Sequence, residues 1–240
     1  MDTPLRWRGH EVSRLEGFSD TVFAFALTLL VVALEVPHNY EKLMELMRGF
    51  PAFACSFALL IWIWSEHNTF FRRFGLQDAY TITLNAVLLF LVLFYVYPLK
   101  FMFDTMFSSF QHGSEGRIRL DAYQFGNTSA IYAAGFVAMF VVFALLYHHA
   151  YASREKLGLS ALDAFEARAA VERQLVSVGV GLVSLFVATL APLRLVGLAP
   201  MCFMLMWPAH WIHGSAARKR RTALQTRLTS GEQAADTPVI

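Results

Sequence analysis

No charged side chain interrupts residues 79–99, which read AYTITLNAVLLFLVLFYVYPL. The hydrocarbon core of a bilayer is about 30 Å thick, and an α-helix needs roughly 20 apolar residues to cross it. In lipid the backbone must satisfy its own hydrogen bonds, which a single continuous helix does within one segment. The stretch therefore predicts a transmembrane helix.

Five more stretches extend this pattern to six spans. Residues 127–147, 174–193 and 195–217 also lack charged side chains, whereas 21–34 and 52–64 are shorter runs that continue into polar residues. Hydrophobic residues make up 56% of the chain and charged residues 16%, and the mean hydropathy is +0.46. These values indicate a membrane protein. The sequence predicts an all-α, polytopic bundle of six transmembrane helices, without an internal repeat or a second soluble domain.

The first short run has an alternative interpretation as a signal peptide. Arg6, Arg8 and Arg14 precede it, and its length falls within the range of a signal-peptide apolar region. It ends in LEVP at residues 34–37, which offers no convincing small-residue cleavage site. We therefore favour a membrane span.

Lysine and arginine residues are distributed unevenly between the two sides of such a bundle. With the N-terminus inside, cytoplasmic segments hold fourteen and external segments six. Because basic loops stay on the cytoplasmic side, this excess predicts that both termini are cytoplasmic. The fourteen are Arg6, Arg8, Arg14, Arg72, Arg73, Arg154, Lys156, Arg168, Arg173, Arg218, Lys219, Arg220, Arg221 and Arg227, and the six are Lys42, Arg48, Lys100, Arg117, Arg119 and Arg194.

Two connections and the C-terminus differ from the short turns elsewhere. The segment 102–126 is expected to be an external loop. The segment 153–172 is charged and alanine-rich, which predicts a cytoplasmic helix or an extension of the next span. Residues 230–240 are polar and are predicted to form a disordered cytoplasmic tail after a membrane domain of residues 1–229.

The first span begins with a carboxylate in a position that is unfavourable for an unpaired charge. Asp20 directly precedes the apolar run, where burying a charge costs several kcal/mol unless the charge is paired. A carboxylate in this place complements the positive end of the helix dipole. On a helix Asp20 points about 140° away from Phe25. We therefore expect Asp20 to face neighbouring helices when Phe25 faces a central axis.

This carboxylate belongs to a compact motif. Arg14, Phe18, Ser19 and Asp20 follow the pattern Arg-x-x-x-Phe-Ser-Asp, and residues 23–30 continue as Phe-Ala-x-Ala-x-Thr-Leu-Leu. The sequence resembles the transmembrane protein 175 family of potassium channels, found in endolysosomal membranes and as shorter bacterial relatives. Supporting matches in the second and third spans are Trp64, His67, Asp78, Asn85 and Pro98.

The resemblance implies a potassium-preferring homotetrameric channel whose first helices line a central pore. The sequence contains no Thr-Val-Gly-Tyr-Gly filter segment, so side chains must set selectivity. Counted from the motif aspartate, the implied pore-lining residues are Phe25, Thr28, Leu29 and Val32, which share one helical stripe. Phe25 stands where the family usually has isoleucine and would form the hydrophobic constriction. As a single six-helix unit, the chain resembles the bacterial form, which implies the plasma membrane.

The motif residues are predicted to support the pore rather than to bind ions. We expect Arg14, Phe18, Ser19 and Asp20 to belong to a network that ties helices together, with His67 and Asn85 as partners, as the resemblance implies. Glu66, inside the second span, is likewise expected to be paired or interfacial. For the stripe, the simpler alternative is ordinary helix packing, with Thr28 bonding back to its own helix.

Three other functions are alternatives to a channel. A proton-coupled secondary transporter predicts inverted repeats or broken spans, which the sequence does not show, and a non-conducting scaffold is the remaining alternative. An enzyme is not predicted, since no G-x-S-x-G or H-E-x-x-H motif occurs. The histidines His148, His149, His210 and His213 lack companion ligands, so neither a metal nor a cofactor is predicted beyond permeant potassium ions. The net charge of +2 gives no case for nucleic acid, and lipids are the other expected partner.

Overall fold

Six α-helices make up the computed structural model, which describes residues 12–34, 36–108 and 120–235. The helices are α1 (Arg14–Val32), α2 (Tyr40–Phe74), α3 (Ala79–Ser108), α4 (Ala122–Ala152), α5 (Ala161–Leu190) and α6 (Met206–Ala235). Two short 3₁₀ helices, Leu193–Leu198 and Pro200–Leu205, connect α5 to α6. Six segments are long and apolar enough to cross a membrane, which confirms the predicted six-helix fold.

The helix ends follow from local capping. Ser13 accepts a hydrogen bond from the backbone of Glu16, whose carboxylate bonds back to the Ser13 N–H, and this capping box begins α1. Asp121 and Ser160 begin α4 and α5 in the same way. Gly75 ends α2 with φ of 61°, a left-handed conformation that glycine adopts without steric cost. These caps satisfy backbone groups that would otherwise be left unpaired at the ends of the spans.

Aromatic side chains fill the core of the bundle. Phe136 and Phe140 on α4 stack with ring centroids 4.4 Å apart, and Phe70 on α2 meets Tyr147 on α4 edge-on at 5.2 Å. All four are fully buried. The most extensive helix contacts join α4 to α5, followed by those of α3 with α4, α2 and α1. The first helix therefore packs against α2 and α3 at one side of the bundle and leaves one face open.

The predicted span over 195–217 is present, but its first half is not α-helical. Residues 195–205 form the two 3₁₀ segments, and α-helical geometry begins at Met206. Pro200 has no backbone N–H to donate and so removes one α-helical hydrogen bond, which disfavours a continuous α-helix from Leu195. The hydroxyl of Ser184 donates to the Ala199 carbonyl at 2.8 Å and satisfies an acceptor in this segment.

Of the two longer predicted connections, one is shorter than expected and the other agrees with the prediction. The loop predicted over 102–126 is helical up to Ser108 and again from Ala122, while 109–119 lie outside the described residues. The expected helical extension within 153–172 is present, because α5 begins at Ala161.

The predicted disordered tail begins too early. Helix α6 continues through Ala235, so the prediction is wrong for residues 230–235, whereas 236–240 lie outside the described residues. The Ser230 hydroxyl bonds back to the Thr226 carbonyl at 2.8 Å, and the alanine, glutamine and glutamate residues that follow favour a helix.

Candidate pore helix and its support

Helix α1 has a buried face and an open face. Ser19, Phe23, Ala26 and Leu30 are buried, and their spacing of three to four residues places them on one side of the helix. The opposite side is open, so α1 contacts its own bundle along one stripe and leaves the other unpartnered within the chain.

The predicted stripe lies largely on this open face. Phe25 is 55% exposed and Val32 is 71% exposed, and Thr28 is exposed between them. Leu29 lies at the edge of the face, where it packs against the core. The structure thus groups Phe25, Thr28 and Val32 on one accessible surface and turns Leu29 partly away from it.

Two hydroxyl groups on the open face bond to their own helix. The Thr28 hydroxyl donates to the Ala24 carbonyl at 2.9 Å, and the Thr21 hydroxyl donates to the Gly17 carbonyl at 2.9 Å. Each donation uses the hydroxyl proton and leaves the oxygen lone pairs directed away from the helix. Thr21 is not among the predicted pore-lining residues, although its spacing of seven residues from Thr28 places it on the same face.

A buried polar chain joins the other side of α1 to α2 and α3. The Asn85 side-chain N–H donates to Ser19 Oγ at 2.9 Å, and Asn85 Oδ1 lies 2.9 Å from His67 Nε2. The Ser19 hydroxyl in turn donates to the Leu15 carbonyl at 2.8 Å. All three side chains are buried. A hydrogen-bonded chain in apolar surroundings fixes the relative positions of helices, because breaking it leaves buried polar groups unpaired.

Asp20 contacts the neighbouring helices through a separate hydrogen bond. The Trp64 indole N–H donates to Asp20 Oδ1 at 2.8 Å, so the carboxylate bonds to α2. Of the predicted motif residues, Ser19 is the one that bonds directly to Asn85. Successive residues on a helix point about 100° apart, which directs the side chains of Ser19 and Asp20 to different neighbours.

The remaining motif residues stand apart from this chain. Arg14 and Phe18 are exposed, Phe18 by 62%. Within residues 12–34, 36–108 and 120–235, the structure shows no ion pair for Arg14. Neither residue joins the Ser19–Asn85–His67 chain within one subunit.

Known proteins resemble this arrangement over nearly its full length. Residues 14–95 match the family model described as endosomal/lysosomal potassium channel TMEM175. A potassium channel of Marivirga tractuosa is 37% identical over 231 residues, which cover 91% of this chain and 93% of that relative. The chain belongs to the TMEM175 family. A second family member, a potassium channel of Chamaesiphon minutus, is 28% identical over 203 residues and covers 81% of this chain and 91% of its own.

Solved TMEM175 structures share the fold. A crystal structure of a variant of the potassium channel MtTMEM175, bound to a nanobody–MBP fusion protein, superposes with a TM-score of 0.79 at 32% identity and covers 91% of this chain and 99% of its own. A lysosomal potassium-selective TMEM175 homologue from Chamaesiphon minutus gives a TM-score of 0.58 at 26% identity and covers 83% and 96%. The region matched by the family model contains α1, α2 and the Asn85 part of α3, which together hold the buried polar chain.

Two other histidines of this TMEM175 family member make polar contacts away from the buried polar chain. His149 Nε2 lies 2.6 Å from Asp78 Oδ2, and His210 Nε2 lies 3.0 Å from Ser177 Oγ. In the part of the chain that the structure describes, no three histidine, cysteine or acidic side chains come together as metal ligands. Glu66 is paired, as expected, with Arg173 on α5 at 2.8 Å.

Proposed function

We propose that this chain is one subunit of a homotetrameric potassium channel in which four copies of α1 surround the pore. The observation that carries the proposal is the open face of α1: Phe25, Thr28 and Val32 are accessible on one side of a helix whose other side is held by its own bundle. One helix cannot enclose a pathway, so a pore along this face needs several copies. The curated relatives named above are potassium channels, which supports the same function.

Side chains provide the ion pathway in this proposal. Phe25 forms a hydrophobic constriction, since a ring of phenyl groups narrows the pathway and excludes water. Thr28 lies one turn further along and offers a hydroxyl oxygen to a partly dehydrated cation, because its proton is used within the helix. Val32 extends the apolar wall, and Leu29 borders it. The sequence has no Thr-Val-Gly-Tyr-Gly segment to supply carbonyl oxygens in their place.

The rest of the bundle positions this helix. The hydrogen-bonded chain of Ser19, Asn85 and His67 holds α1 against α2 and α3 on the side away from the pore, and the bond from Trp64 to Asp20 joins the second turn of α1 to α2. Both termini lie in the cytoplasm in this proposal, which the excess of basic residues in the segments on that side supports. The resemblance to single-repeat bacterial relatives supports a location in the plasma membrane.

A flux assay with a matched control tests the proposal. Purified protein is reconstituted into liposomes with an outward potassium gradient, and efflux is followed with a proton-coupled dye. We expect measurable efflux from the wild type and a rate at least about threefold higher from Phe25→Ala, because the constriction widens. Phe90→Ala is the control, since Phe90 is an exposed phenylalanine on α3, remote in sequence from the proposed pore face.

Two results would contradict the proposal. The first is the absence of potassium efflux from a protein whose tetrameric mass has been verified. The second is an equal change in rate from Phe25→Ala and Phe90→Ala, which would place Phe25 against lipid rather than in the pathway. Movement of potassium against its gradient, driven by a proton gradient, would favour a coupled transporter.

A further inference from the structure

A groove separates α2 from α5 and the start of α6. Its volume is about 520 Å³, within the roughly 300–1,000 Å³ range of ligand sites. Extensive helix contacts join α2 to α1 and α3, and α5 to α4 and α6, but not α2 to α5. The apolar part of the wall is formed by Leu59, Trp62, Phe203, Met204, Met206 and Trp207. This gap is independent of the proposed pore face on α1.

One end of the groove is polar. Glu66 Oε2 accepts hydrogen bonds from Arg173 Nη2 at 2.8 Å and from Gln174 Nε2 at 3.0 Å. The carboxylate is well covered, with 17% of the Glu66 side chain exposed, whereas 38% of the Arg173 side chain is exposed. His210 also lines this end. His210 Nε2 lies 3.0 Å from Ser177 Oγ and so already has a partner. The polar end therefore presents the partly exposed Arg173 guanidinium to an incoming group, through the N–H groups that do not bond to Glu66.

The polar and apolar ends are arranged along the bilayer normal. Leu59 precedes Glu66 by seven residues on α2, which places it about 10 Å further from the α2–α3 turn. The end of the bundle that holds Glu66 also carries Arg72 and Arg73, and the basic run 218–221 extends α6 on the same side. The polar end therefore lies toward the headgroup region of one leaflet, and the apolar walls lie at the depth of its acyl chains.

We propose that this groove binds one glycerophospholipid per subunit, with the phosphate at Arg173 and an acyl chain along Trp62 and Met204. Charge complementarity supports this occupant, because Arg72, Arg73 and the basic run 218–221 lie at the same end of the bundle as Arg173. The partly exposed guanidinium keeps N–H groups that can donate to a phosphate, and basic pockets between transmembrane helices hold lipid headgroups in the same way. The two donations to Glu66 leave this carboxylate covered, which disfavours an amine as the recognised group.

Native mass spectrometry of the detergent-solubilised channel tests this proposal. The probes are dioleoyl phosphatidylglycerol, dioleoyl phosphatidylethanolamine, dioleoylglycerol and free glycerol 3-phosphate. We expect saturable binding of one phospholipid per subunit for both phospholipids, and binding at least about tenfold weaker for dioleoylglycerol, which lacks the phosphate. Millimolar glycerol 3-phosphate should not displace the lipid, because it lacks the chain that fills the groove.

The first variant removes the positive charge of Arg173 without leaving Glu66 as an unpaired, covered carboxylate. Glu66→Gln combined with Arg173→Gln keeps two side chains that hydrogen-bond to each other but removes the guanidinium. We expect phospholipid binding to fall at least about tenfold, to the level of dioleoylglycerol. Arg220→Gln is the matched control, because Arg220 also pairs with a glutamate on α5, at 3.6 Å from Glu172, but does not line the groove.

A second variant fills the groove and leaves the charges in place. Leu59→Trp should weaken phospholipid binding while the subunit stoichiometry of the assembly stays unchanged. The proposal is overturned by equal binding of dioleoylglycerol and phospholipid to the wild type, or by unchanged binding in the double variant. Dissociation of the assembly in Leu59→Trp would overturn it too, since it would assign the groove to a neighbouring subunit.

Discussion

Asn85 donates its side-chain N–H to Ser19 Oγ at 2.9 Å, and this bond connects the third span to the first from inside the bundle. The acceptor side of the same amide lies 2.9 Å from His67 Nε2 on α2. One amide thus joins three helices at a buried point. Ser19 lies on the side of α1 opposite the open face. The bond therefore fixes the orientation of the open face, although neither bonded side chain lies on it.

Loss of this amide should lower stability. In Asn85→Ala, Ser19 and His67 lose a partner in an apolar interior, and an unsatisfied buried polar group costs about 1–3 kcal/mol. We expect a clearly lower unfolding temperature in detergent, measured by the intrinsic fluorescence of the tryptophans. Thr83→Ala is the control on the same helix, because the exposed Thr83 hydroxyl bonds only to the Ala79 carbonyl in the described structure. Equal unfolding temperatures for both variants would show that the buried polar chain of Ser19, Asn85 and His67 does not hold the helices together.

The bond between Trp64 and Asp20 should contribute less. Asp20 is exposed, so water can bond to its carboxylate when the Trp64 indole is removed. The coupling free energy between the two residues should therefore be about 0.5–1.5 kcal/mol. The measurement is a double-mutant cycle of Asp20→Ala and Trp64→Phe, read as free energies of unfolding. Additive effects of the two substitutions would show that the bond contributes no coupling free energy.

Thr28 provides a test of selectivity that is separate from the test of conduction. Thr28→Val keeps the shape of the side chain and removes the hydroxyl oxygen from the open face of α1. If this oxygen coordinates permeating ions, the ratio of potassium to sodium permeability should fall at least about threefold, while flux persists. Reversal potentials under bi-ionic conditions measure the ratio. Thr189→Val is the control, since Thr189 is an exposed threonine on α5 with the same bond to its own helix; a similar change there would remove the special role of Thr28.

The six spans follow from composition because hydrocarbon allows few backbone solutions, so uncharged runs of sufficient length become helices. Hydropathy carries no information about helix geometry, however, and the segment 195–205 is apolar enough for an α-helix yet forms 3₁₀ turns. Pro200 was the available signal for this break. The end of α6 was also missed, since polar composition alone does not distinguish a solvated helix from a disordered tail.

The candidate site was predictable where it depends on periodicity. The spacing of Phe25, Thr28 and Val32 determines that they share a face, and the structure leaves that face open. The partner of Asp20 was not predictable, because Trp64 lies 44 positions away and no local pattern encodes which side chains meet across two helices. The groove at Glu66 and Arg173 was missed for the same reason, since 107 positions separate its two charged residues.

The Asp78 carboxylate should make the free energy of unfolding depend on pH in the acid range. It lies outside the membrane spans, between α2 and α3. Partial burial raises the pKa of its carboxyl, but hydrogen bonds from the Thr81 N–H at 2.8 Å and from His149 at 2.6 Å outweigh this and lower the pKa to about 2. Because the folded pKa lies below the unfolded value of 3.8, the stabilisation is complete above about pH 4 and is lost as the pH falls through about 2.

Thermal unfolding across this range checks the dependence. Asp78→Asn removes the charge and should lower the unfolding temperature near neutral pH, and the difference from the wild type should shrink as the pH falls from about 4 toward 2. Glu155→Gln is the control, because 89% of the Glu155 side chain is exposed. A difference that stays constant down to about pH 2 would contradict the role given to the Asp78 charge.

Glu166 joins three helices at the end of the bundle that carries the α2–α3 turn. Its carboxylate pairs with Arg73 at the end of α2 and with Arg221 on α6, at 2.9 Å from Arg221 Nε, and 13% of its side chain is exposed. In Glu166→Gln both guanidinium groups lose their counter-charge in a largely covered place, whereas an exposed pair would contribute less than about 1 kcal/mol. We expect a loss of about 2–4 kcal/mol in the free energy of unfolding. Glu172→Gln, also on α5 but with 37% of its side chain exposed, should cost less than half as much; equal losses would show that burial does not set the strength of these pairs.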